Sequence, residues 1–119
     1  MKWYLSKIVF RIICGDGKHT AQFDEQLRLI SAANEDEAFE KARTIGQKEE
    51  DSFLNLKQQP VRWEFVDVAE LYRLSELIDG AELYSRISEV DDADAYTNFV
   101  HGKAESLQQK QTLRILNLI

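Results

Sequence analysis

The sequence predicts an α+β fold: a mostly antiparallel four-stranded sheet in the order β-β-α-β-β-α, with helices packed on it. Three observations predict it. Segments of period-two alternation rich in aromatic and β-branched residues recur along the chain. A capped helical segment follows the second of them directly. Turn chemistry at Gly15-Asp16-Gly17-Lys18 and at Asp79-Gly80 separates successive strands, for which a mostly antiparallel sheet is the simplest solution.

The first strand is Trp3 to Cys14. Tyr4, Ile8, Phe10, Ile12 and Cys14 share one face; Lys7 and Arg11 lie on the other with Trp3, Leu5, Val9 and Ile13. Both faces therefore need cover, one fully and one in part. The second strand is Phe23 to Ala33, with Phe23, Leu27 and Leu29 on one side and Asp24, Gln26 and Arg28 on the other. The two strands are expected to form an antiparallel hairpin.

The helix runs from Asn34 to Glu50. Asn34 can cap the first turn, Glu37 can reach back to it, and Glu35, Asp36 and Glu37 sit where the helix dipole favours negative charge. Ala38, Ala42 and Ile45 form a narrow stripe, with Phe39 beside it, that lets the helix lie close to a sheet. Past Pro60 the third strand is Val61 to Leu74. Its apolar parity shifts after Phe65, which predicts a β-bulge near Val66 or Asp67, or a strand buried on both faces in the middle. Ala81 to Val90, after Asp79-Gly80, is expected to be the fourth strand. Asp91 or Asp92 then caps a second helix through Tyr96, Phe99, Val100, Lys103, Ala104 and Leu107. Residues 1–107 are assigned to a single α+β domain. Residues 108–119 are an apolar C-terminal extension, which either continues the helix or pairs as an edge strand.

At 119 residues the chain suits one domain that needs no metal or disulfide staple. Its formal net charge of −6 disfavours nucleic acid and anionic lipid as partners. No run approaches the roughly 18 apolar residues of a membrane helix. No signal peptide is recognisable, and Cys14 is the only cysteine, so a reducing, cytoplasmic setting is expected.

No motif names a reaction. Cys14, Asp16 and His19 lack a second ligand pair at metal spacing, so a strand-end cysteine and a loop histidine account for them. Asp91, Asp92 and Asp94 lack the spacing and closing glutamate of a calcium loop and read as capping residues. Gly15-Asp16-Gly17 is followed by neither a phosphate-loop Lys-Ser/Thr nor a dinucleotide fingerprint. No catalytic, metal or cofactor residue is assigned.

Lys2-Trp3-Tyr4, Val61-Arg62-Trp63-Glu64-Phe65 and Asp79-Gly80-Ala81-Glu82-Leu83-Tyr84-Ser85-Arg86, around the helix 35–46, together resemble a bacterial family defined only as a domain of unknown function. The resemblance covers Met1 to about Val90. It implies a small stand-alone bacterial protein and no particular activity. Each motif is weak singly; as a set they are moderately specific.

The reading that follows is a non-enzymatic interaction module that self-associates, with a homo-oligomer, a dimer first, as its partner state and a further protein partner as an option. The alternative is a small-ligand or enzymatic site on the strand pair after Pro60, with Trp63, Glu64, Asp67, Glu82, Tyr84 and Arg86 as the candidate surface. The second alternative is an acidic immunity or inhibitor protein for a basic partner, motivated by net charge alone. The excess of apolar surface for a single sheet leaves two candidates to cover its second face: the C-terminal helix or a second subunit.

Overall fold

The structure is a computed structural model that describes residues 1–118. The elements are β1 (Lys2–Cys14), β2 (Gln22–Ala32), α1 (Glu35–Lys48), β3 (Asp51–Leu54), β4 (Pro60–Leu74) and α2 (Ala93–Leu118). The strands form one antiparallel sheet in the order β2-β1-β4-β3. The expected class and element order are therefore both observed. The chain divides into two compact units, Met1–Ser85 and a second from Arg86 onward.

Within the first unit, β1 is the central strand. It pairs with β2 from Lys2↔Ala32 to Ile12↔Gln22, and with β4 from Trp3↔Leu74 to Cys14↔Val61. The β1–β4 register slips twice: Ile8 pairs with Val68 after Lys7 pairs with Glu70, and Phe10 pairs with Phe65 after Val9 pairs with Asp67. Ala69 and Val66 are thus the extra residues. The parity break in the sequence is a bulge at Val66, and a second bulge at Ala69 resets the strand. After both, Trp63, Phe65, Val68 and Leu71 all pack against the core.

Two assignments change. The fourth strand of the sheet is not Ala81 to Val90, which lies in no strand. It is the short β3, paired with β4 from Asp51↔Trp63 to Leu54↔Pro60. Asp79-Gly80 does form a turn, closed by the Ala81 N–H on the Ile78 carbonyl (3.0 Å), but only Gly80 has a positive φ, +81°. A two-residue hairpin of type I′ needs positive φ at both central residues, so this turn does not fold the chain back into a ladder. The hairpin is instead made by Asn55, whose Oδ1 accepts the N–H groups of Lys57 (2.9 Å) and Gln59 (3.0 Å).

α1 lies on one face of the sheet. Asn34 Oδ1 accepts the Glu37 N–H (2.9 Å), and Glu37 Oε2 reaches back to the Ala33 N–H (3.3 Å) rather than to the cap residue's own. Ala38 and Ala42 are fully buried, and Gly46 is buried where an added Cβ would run into the Phe65 ring. The small stripe therefore runs Ala38, Ala42, Gly46, with Ile45 at its flank. It seats the helix on Tyr4, Ile8, Phe10 and Ile30. Phe10 meets Phe65 edge-on at 6.0 Å between centroids.

In the second unit, Asp92 caps α2: its Oδ1 accepts the Ala95 N–H (3.0 Å). The helix passes straight through residue 107, so the extension continues the helix and forms no edge strand; Ile119, its last residue, lies outside the described residues. Tyr96, Phe99, Val100, Leu107, Leu113, Ile115 and Leu116 are exposed along it, and Lys103 Nζ sits 4.6 Å over the Phe99 ring.

Candidate functional site: the helix-free face of the sheet

Within the first unit one face of the sheet carries α1 and the other, the helix-free face, carries no helix of that unit; opposite parities of β2 populate the two. Phe10 and Ile8 face α1, and they pair with Asp24 and Gln26. So the polar set of β2 lies on the helix face, and Phe23, Leu27 and Leu29 lie on the other. Their exposures are 55%, 54% and 48%, against 1% for Ile30 on the helix face of the same strand.

The polar set is not idle on the helix face. Trp63 Nε1 donates to Asp24 Oδ2 (3.3 Å), Gln26 Nε2 donates to the same oxygen (2.6 Å), and Arg28 donates to Gln26 Oε1 from NH2 (2.7 Å) and Nε (3.1 Å). Arg28 NH1 then meets Glu49 Oε1 just past the end of α1 (3.0 Å), and NH2 pairs with Glu49 Oε2. This half-buried chain from Trp63 to Glu49 satisfies the polar groups that α1 does not cover.

The helix-free face continues from β2 across β1 and β4 through Trp3, Leu5, Val9, Tyr72 and Leu74. Leu5 and Leu74 are buried at its upper end, where residues 75–85 return. Tyr84 packs edge-on against Tyr72 there, 5.6 Å between centroids. Tyr72, Leu74, Glu82 and Tyr84 line a cavity of about 290 Å³, at the small end for ligand pockets.

The middle of the face carries one ion-pair cluster. Lys7 Nζ lies 3.0 Å from Glu70 Oε2 and 3.9 Å from Glu25 Oε2. Its hydrogen bond to the Glu70 carboxylate holds the Lys7 ammonium above its ordinary value, against the opposing effect of partial burial. Desolvation, with the Glu70 carboxylate second, pushes the Tyr72 hydroxyl above its ordinary value. Lys7 thus pairs with a carboxylate on each neighbouring strand in the middle of this face.

The candidate residues from the sequence do not meet in one cleft. Trp63 lies on the helix face, stacked on Phe53 at 6.0 Å and 22°. Glu64 is exposed on β4, and Asp67 Oδ1 lies 3.6 Å from Arg43 Nε. Glu82 and Tyr84 lie beside Tyr72 on the opposite face. Trp63 and Tyr72 are nine positions apart, about 30 Å along the strand. Arg86 is exposed and begins the second unit. The residues that sequence reasoning passed over, Phe23, Leu27, Leu29 and Lys7, are those that build the helix-free face. Their signal was an alternation whose apolar set could not be assigned to a face without the register.

At the hairpin tip, the Cys14 N–H donates to His19 Nε2 (3.0 Å), and His19 Nδ1 lies 2.8 Å from the Thr20 carbonyl. Histidine and cysteine there fasten a turn. Among the described residues no group of three or more His, Cys, Asp and Glu is placed to hold a metal ion, and no helix is long and apolar enough to cross a membrane.

Residues 3–85 match a family described as a domain of unknown function, DUF4288. The chain belongs to this family. The DUF4288 match ends where the first compact unit ends, so the sheet, α1 and the Tyr72–Tyr84 return are the family's shared part, and α2 lies outside it. Neither the curated proteins nor the solved structures hold a match to the chain.

Proposed function

We propose that this chain is a non-enzymatic interaction module that self-associates through β2, the edge strand whose apolar side lies on the helix-free face of its sheet. One observation carries the reading: Phe23, Leu27 and Leu29 of β2 point away from α1 and stay half exposed, while Asp24, Gln26 and Arg28 are tied together on the helix side. A contiguous apolar patch on a rigid sheet is the usual mark of a protein contact. The rim of the patch is charged, and Lys7 within it is already paired with Glu70 and Glu25. The reading includes a cytoplasmic, reducing setting, which the lone thiol of Cys14 supports.

Light-scattering mass across a hundredfold range of concentration tests this. A mass that rises toward twice the monomer supports the reading. A clean monomer at the highest concentration, with no partner captured, contradicts it.

A further inference from the structure

We infer that the contact between copies is an antiparallel β2–β2 pairing, with Gln26 on the two-fold axis, that joins two sheets edge to edge. This deepens the self-association reading and rests on it.

The two edges of the sheet differ. On one side β3 is only four residues long, and the β4 ladder beyond it is closed at its start by Glu50, whose Oε2 accepts the Phe65 N–H (3.2 Å). On the other side β2 offers an eleven-residue edge with no proline, and its ladder to β1 runs without a register slip. Natural sheets normally blunt such an edge. Near its end Lys41 Nζ donates to the Ser31 carbonyl (2.8 Å). That bond marks the odd-numbered residues as those whose main-chain groups point outward. Phe23, Glu25, Leu27 and Leu29 therefore carry the free N–H and C=O groups.

Charge then selects the register. A two-fold axis at Asp24, Glu25 or Arg28 would set like charges directly opposite each other. An axis at Leu27 would set Asp24 against Ile30 of the partner subunit. An axis at Gln26 sets Asp24 against Arg28 of the partner subunit, twice by symmetry, and Phe23 against the partner's Leu29 on the helix-free face. The main-chain bonds fall on the outward-pointing odd residues. The charged pairs fall on the closer, non-hydrogen-bonded positions. The two helix-free faces then become one continuous surface.

The test is a charge reversal combined with a cross-link, all in the full chain. Asp24→Arg is expected to weaken the dimer at least about tenfold, the effect of 1.4 kcal/mol. The double change Asp24→Arg with Arg28→Asp restores it to within about threefold, because the pair is re-formed in reverse. Asp24 also holds Trp63 and Arg28 also pairs with Glu49, so a second readout avoids relying on the fold of either variant. Gln26→Cys in a Cys14→Ser background faces its own copy at about 4.5 Å between Cα atoms, which a disulfide can bridge under oxidised glutathione. A covalent dimer from Gln26→Cys, and none from Leu27→Cys, supports the register. Cross-linking of Leu27→Cys instead, or a dimer indifferent to the charge reversal, overturns the register and leaves self-association standing. A wild-type chain that stays monomeric overturns both.

Discussion

The two faces of this sheet are made from the same strands and have opposite fates. On the helix face, Ile8, Phe10 and Ile30 are nearly inaccessible and α1 sits on them through residues without bulk. On the other face, residues of the same strands, Trp3, Leu27 and Leu29, are 40–54% exposed. The difference is not one of composition. It comes from pairing register, which turns the polar set of β2 toward the helix and the apolar set toward the open side. A protein that needed only solubility would gain by the reverse arrangement. The open face is thus the part of the fold least explained by stability.

The comparison can be broken most forcefully on the helix side. Phe10→Ala removes a fully buried ring between α1 and Phe65 and should cost about 3–5 kcal/mol in a chemical denaturation curve. Gly46→Ala should cost less, about 1–3 kcal/mol, because its new methyl must displace the Phe65 ring. The usual helix-propensity gain of alanine over glycine, about 1 kcal/mol, offsets only part of this. On the open face Leu29→Ser should change monomer stability by about 0.5 kcal/mol or less, and should lower the light-scattering mass at high concentration. A loss as large as that of Phe10→Ala would mean the face is covered within the monomer.

The smallest expected effect sharpens the role of the Lys7 cluster. Lys7 and Tyr72 both hold their protons more tightly in the folded chain than in the unfolded one, from ordinary values of 10.5 and 10.0. Their contribution is complete below the unfolded values and is lost as pH rises through the folded ones. The melting temperature of the wild type should therefore fall more steeply above about pH 10 than that of Tyr72→Phe, while between pH 7 and 9 the two should run in parallel.

Much of this was legible in the residues. The period-two runs located β1, β2 and β4, Asn34 fixed the start of α1, and the parity break after Phe65 marked the bulge at Val66. These are local signals, written in adjacent residues. β3 was not legible: four residues beginning Asp-Ser carry too little alternation, and the strand exists because Asn55 closes a hairpin onto β4. The segment 81–90 misled for the converse reason. It has strand-like alternation and a turn before it, but the turn has the wrong backbone hand for a hairpin. The candidate site failed to appear in the sequence because facing is a property of register. Phe23, Leu27 and Leu29 share one side of the strand in the sequence, and only the pairing Phe10↔Asp24 shows that this side turns away from α1.

The most direct measurement of the central claim is amide hydrogen exchange read by mass spectrometry at low and high protein concentration. Peptides covering β2, residues 22–32, should gain protection as concentration rises, while those covering β3 should not change. Exchange in β2 that is independent of concentration, at concentrations where the mass shows a dimer, would place the contact elsewhere and contradict the account.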